Sequence, residues 1–185
     1  MTDAFAEFGL EKRPWLDPLA VQVRYHELAV PRHPDKCGQD PLPLARLNEA
    51  RGILSSHASR LRHLLTLVLP TEAPQSRFQP DFDLFSFVGT LSRKAETLSA
   101  KRDRASSGLT KALAKTETEA LEKEVVAAID RLNLLACTLE KKIQLLDARW
   151  PSVTAEEIVL LAEEDTFYQK WRQSLRDART RLLGG

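Results

Sequence analysis

The feature that most constrains the fold is a long apolar seam in the second half of the sequence. Between Glu117 and Ala148 the apolar residues form a heptad-like seam, with steps of four and three and a last step of seven: Leu121, Val125, Ala128, Leu132, Leu135, Leu139 and Leu146. This spacing puts them on one side of an α-helix, whereas a half-buried strand alternates at every second residue. Such a helix would be about 45–50 Å long, and its seam needs neighbouring helices to cover it.

Two amphipathic segments on either side of this helix can cover the seam. The first carries Leu84, Val88, Leu91, Ala95 and Leu98 at helical spacing and is interrupted at Ser107-Gly108. The last begins at a capping box, Thr154 to Glu157, and carries Ile158, Leu161, Tyr168, Leu175 and Leu182. We therefore predict a three-helix antiparallel bundle over residues 81–185. Its seam forms core rather than an exposed coiled coil, so a monomer is expected rather than a dimer.

The first part of the chain predicts an antiparallel helical hairpin. Asp17-Pro18 is a helix start, and the helix should run to about Val30, where Pro31 stops it. Prolines and a glycine make the next segment a loop, and a second helix begins near Pro43. A short amphipathic helix follows, and prolines then mark a connector. The predicted fold class is all-α, with domains at residues 1–69 and 81–185 joined by a linker at 70–80.

Composition excludes several function classes. The net charge is +1 with both signs interleaved, which gives no reason to expect nucleic-acid binding. Cys37 and Cys137 lie far apart without a companion, so neither a disulfide framework nor a zinc site is indicated. We expect no signal peptide, no membrane span and a cytoplasmic location. The four histidines lie in no recognised catalytic pattern, so neither an enzyme nor a bound cofactor is expected.

One motif in the predicted loop points to a binding function. His33-Pro34-Asp35-Lys36 lies between the two hairpin helices, and Pro34 stiffens the backbone that presents His33 and Asp35. Arg24, His26, Arg32 and Lys36 add positive charge at the same edge, which would steer it towards an acidic partner surface. Two alternatives are a plain turn histidine with a capping aspartate, and a metal site using the nearby cysteine, although paired ligand spacing is absent.

The surrounding residues resemble a J-domain over about Ala4 to Leu67. The matching features are Phe8-Gly9-Leu10, the Asp17-capped helix with Arg24-Tyr25 and Leu28, the tripeptide His33-Pro34-Asp35, and Leu47-Asn48-Glu49-Ala50 followed by Leu54. Within that family the chain is most similar to the HscB branch, on Phe5 to Leu10, the spacing from Leu16-Asp17 to the tripeptide, and Arg60 followed by Leu64 to Leu67. Arg51 stands where the family usually has an aromatic residue, which predicts either weaker packing between the two hairpin helices or an arginine whose stem lies over the core.

The resemblance implies a co-chaperone. His33-Pro34-Asp35 would bind a DnaK/HscA-type chaperone and stimulate its ATPase, and the C-terminal bundle would deliver a client, an IscU-type iron–sulfur cluster scaffold protein. No client-binding residue of the family has a counterpart here. Phe82, Phe85 and Phe87 alternate around a helix start, so an exposed one is a candidate client contact. The alternative is a structural adaptor with a J-like hairpin and an oligomerising coiled coil, which would not stimulate an ATPase.

Overall fold

The computed structural model describes residues 2–32, 42–68, 74 and 78–184. These residues form helices and no strand, which confirms the predicted all-α class. The helices are α1 Ala4–Phe8, α2 Pro18–Ala29, α3 Leu42–Ser55, α4 His57–Val68, α5 Phe82–Asp103, α6 Gly108–Asp147 and α7 Ala155–Leu183. Among the described residues, no helix combines the length and the apolar character needed to cross a membrane. The chain divides into unit 1, residues 1–78 and 139–165, and unit 2, residues 79–138 and 166–185.

Unit 1 begins with a short helix that the sequence pattern did not predict. Asp3 caps α1 by accepting from the backbone N–H groups of Phe5 and Ala6. Gly9 ends it at φ 63°, and the N–H of Leu10 reaches back to the carbonyl of Phe5 at 2.9 Å. Phe5 and Phe8 are fully buried, so α1 is held by its side chains in the core of unit 1.

The predicted hairpin of α2 and α3 forms most of the rest of this core, and α4 contributes Leu64. Asp17 caps α2 by accepting from the N–H of Leu19 at 2.9 Å, and α2 ends at Ala29, one residue before the predicted end. The buried cluster consists of Ala4, Phe5, Phe8, Val21, Leu47, Ala50, Leu54 and Leu64. Trp150, from the turn between α6 and α7, packs partly buried against this cluster.

The packing of unit 1 therefore includes the hairpin end of α6 and α7. Asp147, the last residue of α6, binds the guanidinium of Arg13 at 2.8 Å and the backbone N–H of Trp15 at 3.2 Å. Asp165 of α7 accepts from the N–H of Ala58 in the first turn of α4 at 2.9 Å. The domain boundaries at 69 and 81 stay a prediction, because contacts between segments do not show which segments fold independently.

Unit 2 contains the main part of the predicted bundle. Its core consists of Leu84, Val88, Leu91, Ala95 and Leu98 from α5, Leu121, Val125, Ala128 and Leu132 from α6, and Trp171, Leu175, Ala178 and Leu182 from α7. Lys101 pairs with Glu117 and Lys94 with Glu124, so α5 and α6 run in opposite directions. In unit 2 Arg179 of α7 also pairs with Glu122 of α6. In unit 1 the pairs of Lys142 with Glu164 and of Arg149 with Glu157 show that the hairpin end of α6 and α7 is antiparallel.

Helix α6 starts at Gly108 rather than near Glu117 as predicted. Ser107 caps it, because its Oγ accepts from the N–H of Thr110 at 3.1 Å. The pair Ser107-Gly108 therefore marks the start of α6, in addition to the predicted break after α5. The capping box of α7 is confirmed: the N–H of Thr154 donates to Glu157 at 2.9 Å, and the N–H of Glu157 donates to Thr154 Oγ1 at 3.3 Å.

Candidate functional site

The predicted tripeptide and its neighbours, His33, Pro34, Asp35, Lys36 and Cys37, lie outside the described residues. The structure does describe the helices on both sides, α2 and α3. The hydroxyl of Tyr25 donates to Asn48 Oδ1 at 2.7 Å, and the guanidinium of Arg51 lies 4.3 Å from the centre of the Tyr25 ring. Arg51 is exposed and stacks on this ring, which gives a cation–π contact between the helices.

Arg24 and Arg32, two of the predicted binding residues, connect α1 to α2. Arg24 Nε donates to the carbonyl of Phe8 at 3.0 Å, and its NH1 pairs with Glu27 at 3.0 Å. Arg32, just beyond α2, pairs with Glu7 of α1. Because each guanidinium already has a carboxylate partner, the positive edge expected from the sequence is partly neutralised. These two residues fix the geometry of the helix that leads into the tripeptide.

His26, the third predicted residue on α2, is exposed in the last turn of the helix. Its ring meets the Tyr25 ring edge-on, with centroids 5.5 Å apart. Leu19, Val23 and Val30 lie on the same side of the helix, at spacings of seven, three and four residues from His26, and are 65%, 50% and 58% exposed. The outer face of α2 is therefore mainly apolar, with one imidazole.

A buried histidine of α4 holds the start of α1. His63 Nε2 accepts from the backbone N–H of Ala4 at 3.0 Å, and its ring stacks on Phe5 with centroids 5.9 Å apart. Burial lowers the pKa of His63, with the charge of Lys12 acting in the same direction and that of Asp3 opposing it. The neutral imidazole is the form that can accept this hydrogen bond, so the docking of α1 requires unprotonated His63.

Arg60 forms a second buried polar contact in unit 1. Although it is 2% exposed, its guanidinium donates to the carbonyls of Pro14, at 2.9 Å, and Leu54. Burial lowers the pKa of Arg60 to about 10, and the charges of Asp165, Asp147 and Glu140 act against that shift. No role for these acidic residues was predicted from the sequence. For Arg60 the sequence did hold an indication of its buried position, because Arg60 lies four residues before Leu64 and therefore on the same face of α4.

The three phenylalanines proposed as client contacts are all exposed on the first turns of α5. Phe82, Phe85 and Phe87 are 75%, 52% and 42% exposed, while Leu84 and Val88 provide the buried face. Asp81 caps the helix by accepting from the N–H of Leu84 at 3.0 Å. The Phe85 ring centre lies 6.3 Å from that of Trp171, which also contacts Phe167 and Tyr168. Phe85 therefore extends this aromatic cluster to the surface.

In the described part of the chain, no group of three histidine, cysteine, aspartate or glutamate side chains is arranged to hold a metal ion. Cys137 is exposed on α6 as a free thiol. Two candidate binding surfaces remain on the helical frame, the α2–α3 hairpin in unit 1 and the exposed start of α5 in unit 2.

Comparison with known proteins gives a likeness of fold. No protein-family model matches the sequence, and no curated protein matches it. Among solved structures, the chaperone HscB from Vibrio cholerae matches 98% of this chain and 99% of its own, with a TM-score of 0.54 and 17% sequence identity. At this identity the likeness shows the fold alone. The protein has an HscB-like all-α fold over its whole length, as the resemblance in the sequence implied.

Proposed function

We propose that the protein is a co-chaperone that binds a DnaK/HscA-type chaperone through His33-Pro34-Asp35 and stimulates its ATP hydrolysis. The observation that supports this best is the full-length fold likeness to HscB, in a chain that carries this tripeptide between α2 and α3. The protein itself would catalyse no reaction. We propose a cytoplasmic location, as expected from the sequence.

The helices around the tripeptide support a binding role. The Tyr25–Asn48 hydrogen bond and the Arg51 stacking hold α2 on α3, and Arg24 holds α2 on α1. A segment whose ends are held by packed helices loses less conformational entropy when it binds than a free peptide does. We expect Lys36, His26, Arg24 and Arg32 to surround the contact, with the paired arginines contributing more to position than to attraction.

A comparison of two aspartates in the same stretch of sequence tests the chaperone contact. Asp35→Asn and His33→Gln should remove the stimulation of a DnaK-type chaperone's ATPase, because each changes a polar group of the tripeptide. Asp40→Asn, the same chemical change outside the tripeptide, should leave it intact. All three proteins should keep the helical content of the wild type, measured by circular dichroism. If the Asp35→Asn protein stimulates as well as the Asp40→Asn protein, the assigned contact is wrong.

For the client we propose an IscU-type iron–sulfur scaffold protein, bound at the exposed aromatic start of α5. Exposed phenylalanines are effective anchors, since each buries a large apolar area at little cost in side-chain entropy. The double change Phe82→Ala and Phe85→Ala should weaken capture of the scaffold by at least about tenfold. Leu109→Ala with Leu134→Ala, at positions 72% and 69% exposed in the same unit, is the matched control. Equal capture by both variants would contradict this site.

The adaptor alternative has less support. An oligomerising coiled coil needs an exposed seam, but Leu121, Leu132 and Leu139 are 6%, 0% and 1% exposed within a single chain. The bundle already covers the seam, so the structure favours a monomeric co-chaperone over an assembly built on α6.

A further inference from the structure

The C-terminal part of α7 carries charge of one sign. Between Gln169 and Leu182 the sequence has five basic residues, Lys170, Arg172, Arg176, Arg179 and Arg181, and one acidic residue, Asp177. Unit 2 as a whole has 14 lysines and arginines against 10 aspartates and glutamates, a net charge of +4 that the chain's overall +1 conceals. On α6, by contrast, the two signs alternate, as with Glu122, Lys123 and Glu124.

Ion pairs within unit 2 neutralise only part of this positive charge. Arg179 pairs with Glu122 of α6 at 3.2 Å. Lys170, Arg172 and Arg176 have no carboxylate within ion-pair distance among the described residues, and together with Gln169 and Gln173 they line a shallow depression on the outer side of α7. The carboxylate of Asp177 is used locally, because it accepts from the side-chain amide of Gln173 at 2.8 Å. We call Lys170, Arg172 and Arg176 the basic surface of α7.

We propose that the basic surface of α7 binds an acidic polypeptide segment of a partner protein. Arg172 and Arg176 are one turn apart, about 6 Å between Cβ atoms, which matches two carboxylates one turn apart on a partner helix. Arginine forks bind carboxylates in a bidentate manner, so this surface offers geometry as well as charge. The proposal is separate from the chaperone contact and concerns a different surface from the phenylalanines of α5.

The surroundings favour a polypeptide over other anionic partners. A membrane-binding helix carries exposed apolar residues beside its basic ones, but the large apolar side chains from 169 to 182 face the core. Single-stranded nucleic acid is usually bound by exposed aromatic rings next to cations. The aromatic residues of this part of α7 pack against the core instead: Trp171 is 7% exposed, and Phe167 and Tyr168 are partly buried. Asp177 also stands among the cations.

The test measures binding of fluorescein-labelled poly-L-glutamate by the full-length protein, using fluorescence anisotropy at about 50 mM salt, where such contacts are little screened. Arg172→Glu with Arg176→Glu should weaken binding by at least about tenfold, the size expected when two charge-assisted contacts become repulsive. Lys123→Glu with Arg131→Glu, which changes two exposed α6 residues and gives the same net charge, should weaken it by less than about threefold.

Several outcomes would overturn the proposal. Absence of binding would refute the proposal. Equal weakening by both double variants would mean that net charge, and not this surface, is responsible. Tighter binding of mixed-sequence single-stranded DNA or of phosphatidylserine vesicles through the same arginines would assign the surface to another class of partner. Sedimentation that shows self-association lost in the Arg172→Glu/Arg176→Glu protein would assign it to a second copy of the chain. The same double variant should still stimulate the chaperone's ATPase, so failure here and failure of the proposed function are distinguishable.

Discussion

Asp147 gives the most direct test of how unit 1 is held together. Its carboxylate accepts from Arg13 Nε at 3.3 Å, from Arg13 NH2 at 2.8 Å and from the backbone N–H of Trp15 at 3.2 Å. It therefore connects the end of α6 to the segment between α1 and α2, across 134 residues of sequence for the arginine. We consider the change Asp147→Asn, which keeps the shape of the side chain but removes its charge.

The exposure of Arg13 and Asp147 determines how much the free energy of unfolding should fall when this contact is lost. The Arg13 side chain is 44% exposed and the Asp147 side chain 10%, so the pair is neither a surface ion pair nor a fully buried one. Surface pairs contribute about 0–1 kcal/mol, and loss of one partner of a buried pair costs about 3–5 kcal/mol. An intermediate value of about 2 kcal/mol follows for Asp147→Asn, including the weaker hydrogen bond from Trp15.

The free energy of unfolding can be measured in urea by tryptophan fluorescence in a Trp171→Phe background. The two remaining tryptophans, Trp15 and Trp150, then both report on unit 1. A double-mutant cycle with Arg13→Gln should give a coupling energy of about 1–2 kcal/mol. Asp130→Asn, an exposed position on α6, should change the free energy by less than about 0.5 kcal/mol. A coupling energy near zero would refute the claim that this pair stabilises unit 1.

Two further predictions concern α1. The unfolded chain takes up a proton at His63 near its ordinary pKa of 6.5, whereas burial lowers the pKa in the folded protein, so the free energy of unfolding should fall as the pH decreases from about 7 to about 5. His63→Leu should flatten that dependence in urea unfolding at several pH values, and an unchanged slope would contradict the assignment. Gly9 has φ 63°, so Gly9→Ala should cost about 1–2 kcal/mol, while Gly52→Ala, inside α3 with open space around it, should stabilise by about 0.5–1 kcal/mol in thermal unfolding. Equal effects at the two glycines would show that the backbone conformation at Gly9 does not matter.

The sequence was most informative where one helix face is buried along its whole length. All the α5 residues predicted to face the core are buried, because a strict spacing of three and four leaves only one side for packing. Asp17 and Thr154 also cap their helices as predicted, since a capping contact involves residues only a few positions apart.

The sequence was least informative where the stabilising partner is distant or the segment is short. Helix α1 has five residues, too few for periodicity, and its start depends on His63, which lies 59 residues from Ala4. The partners of Asp147 and Asp165 are more than 100 residues away. A contact of that kind leaves no local pattern in the sequence. The same reason explains why the expected positive edge was overestimated, since Glu7 of α1 neutralises Arg32 from another element.

The central claim, that the tripeptide contacts a DnaK-type chaperone, can be tested with the protein's own cysteines. Cys37 lies two residues after Asp35, and Cys137 is exposed on α6. Cys137→Ser leaves a single thiol beside the tripeptide, and Cys37→Ser leaves a single thiol far from it in sequence. After labelling with benzophenone maleimide and illumination in the presence of the chaperone and ATP, the Cys37 label should crosslink to the chaperone and the Cys137 label should not. Crosslinking from Cys137 without crosslinking from Cys37 would contradict the proposed function.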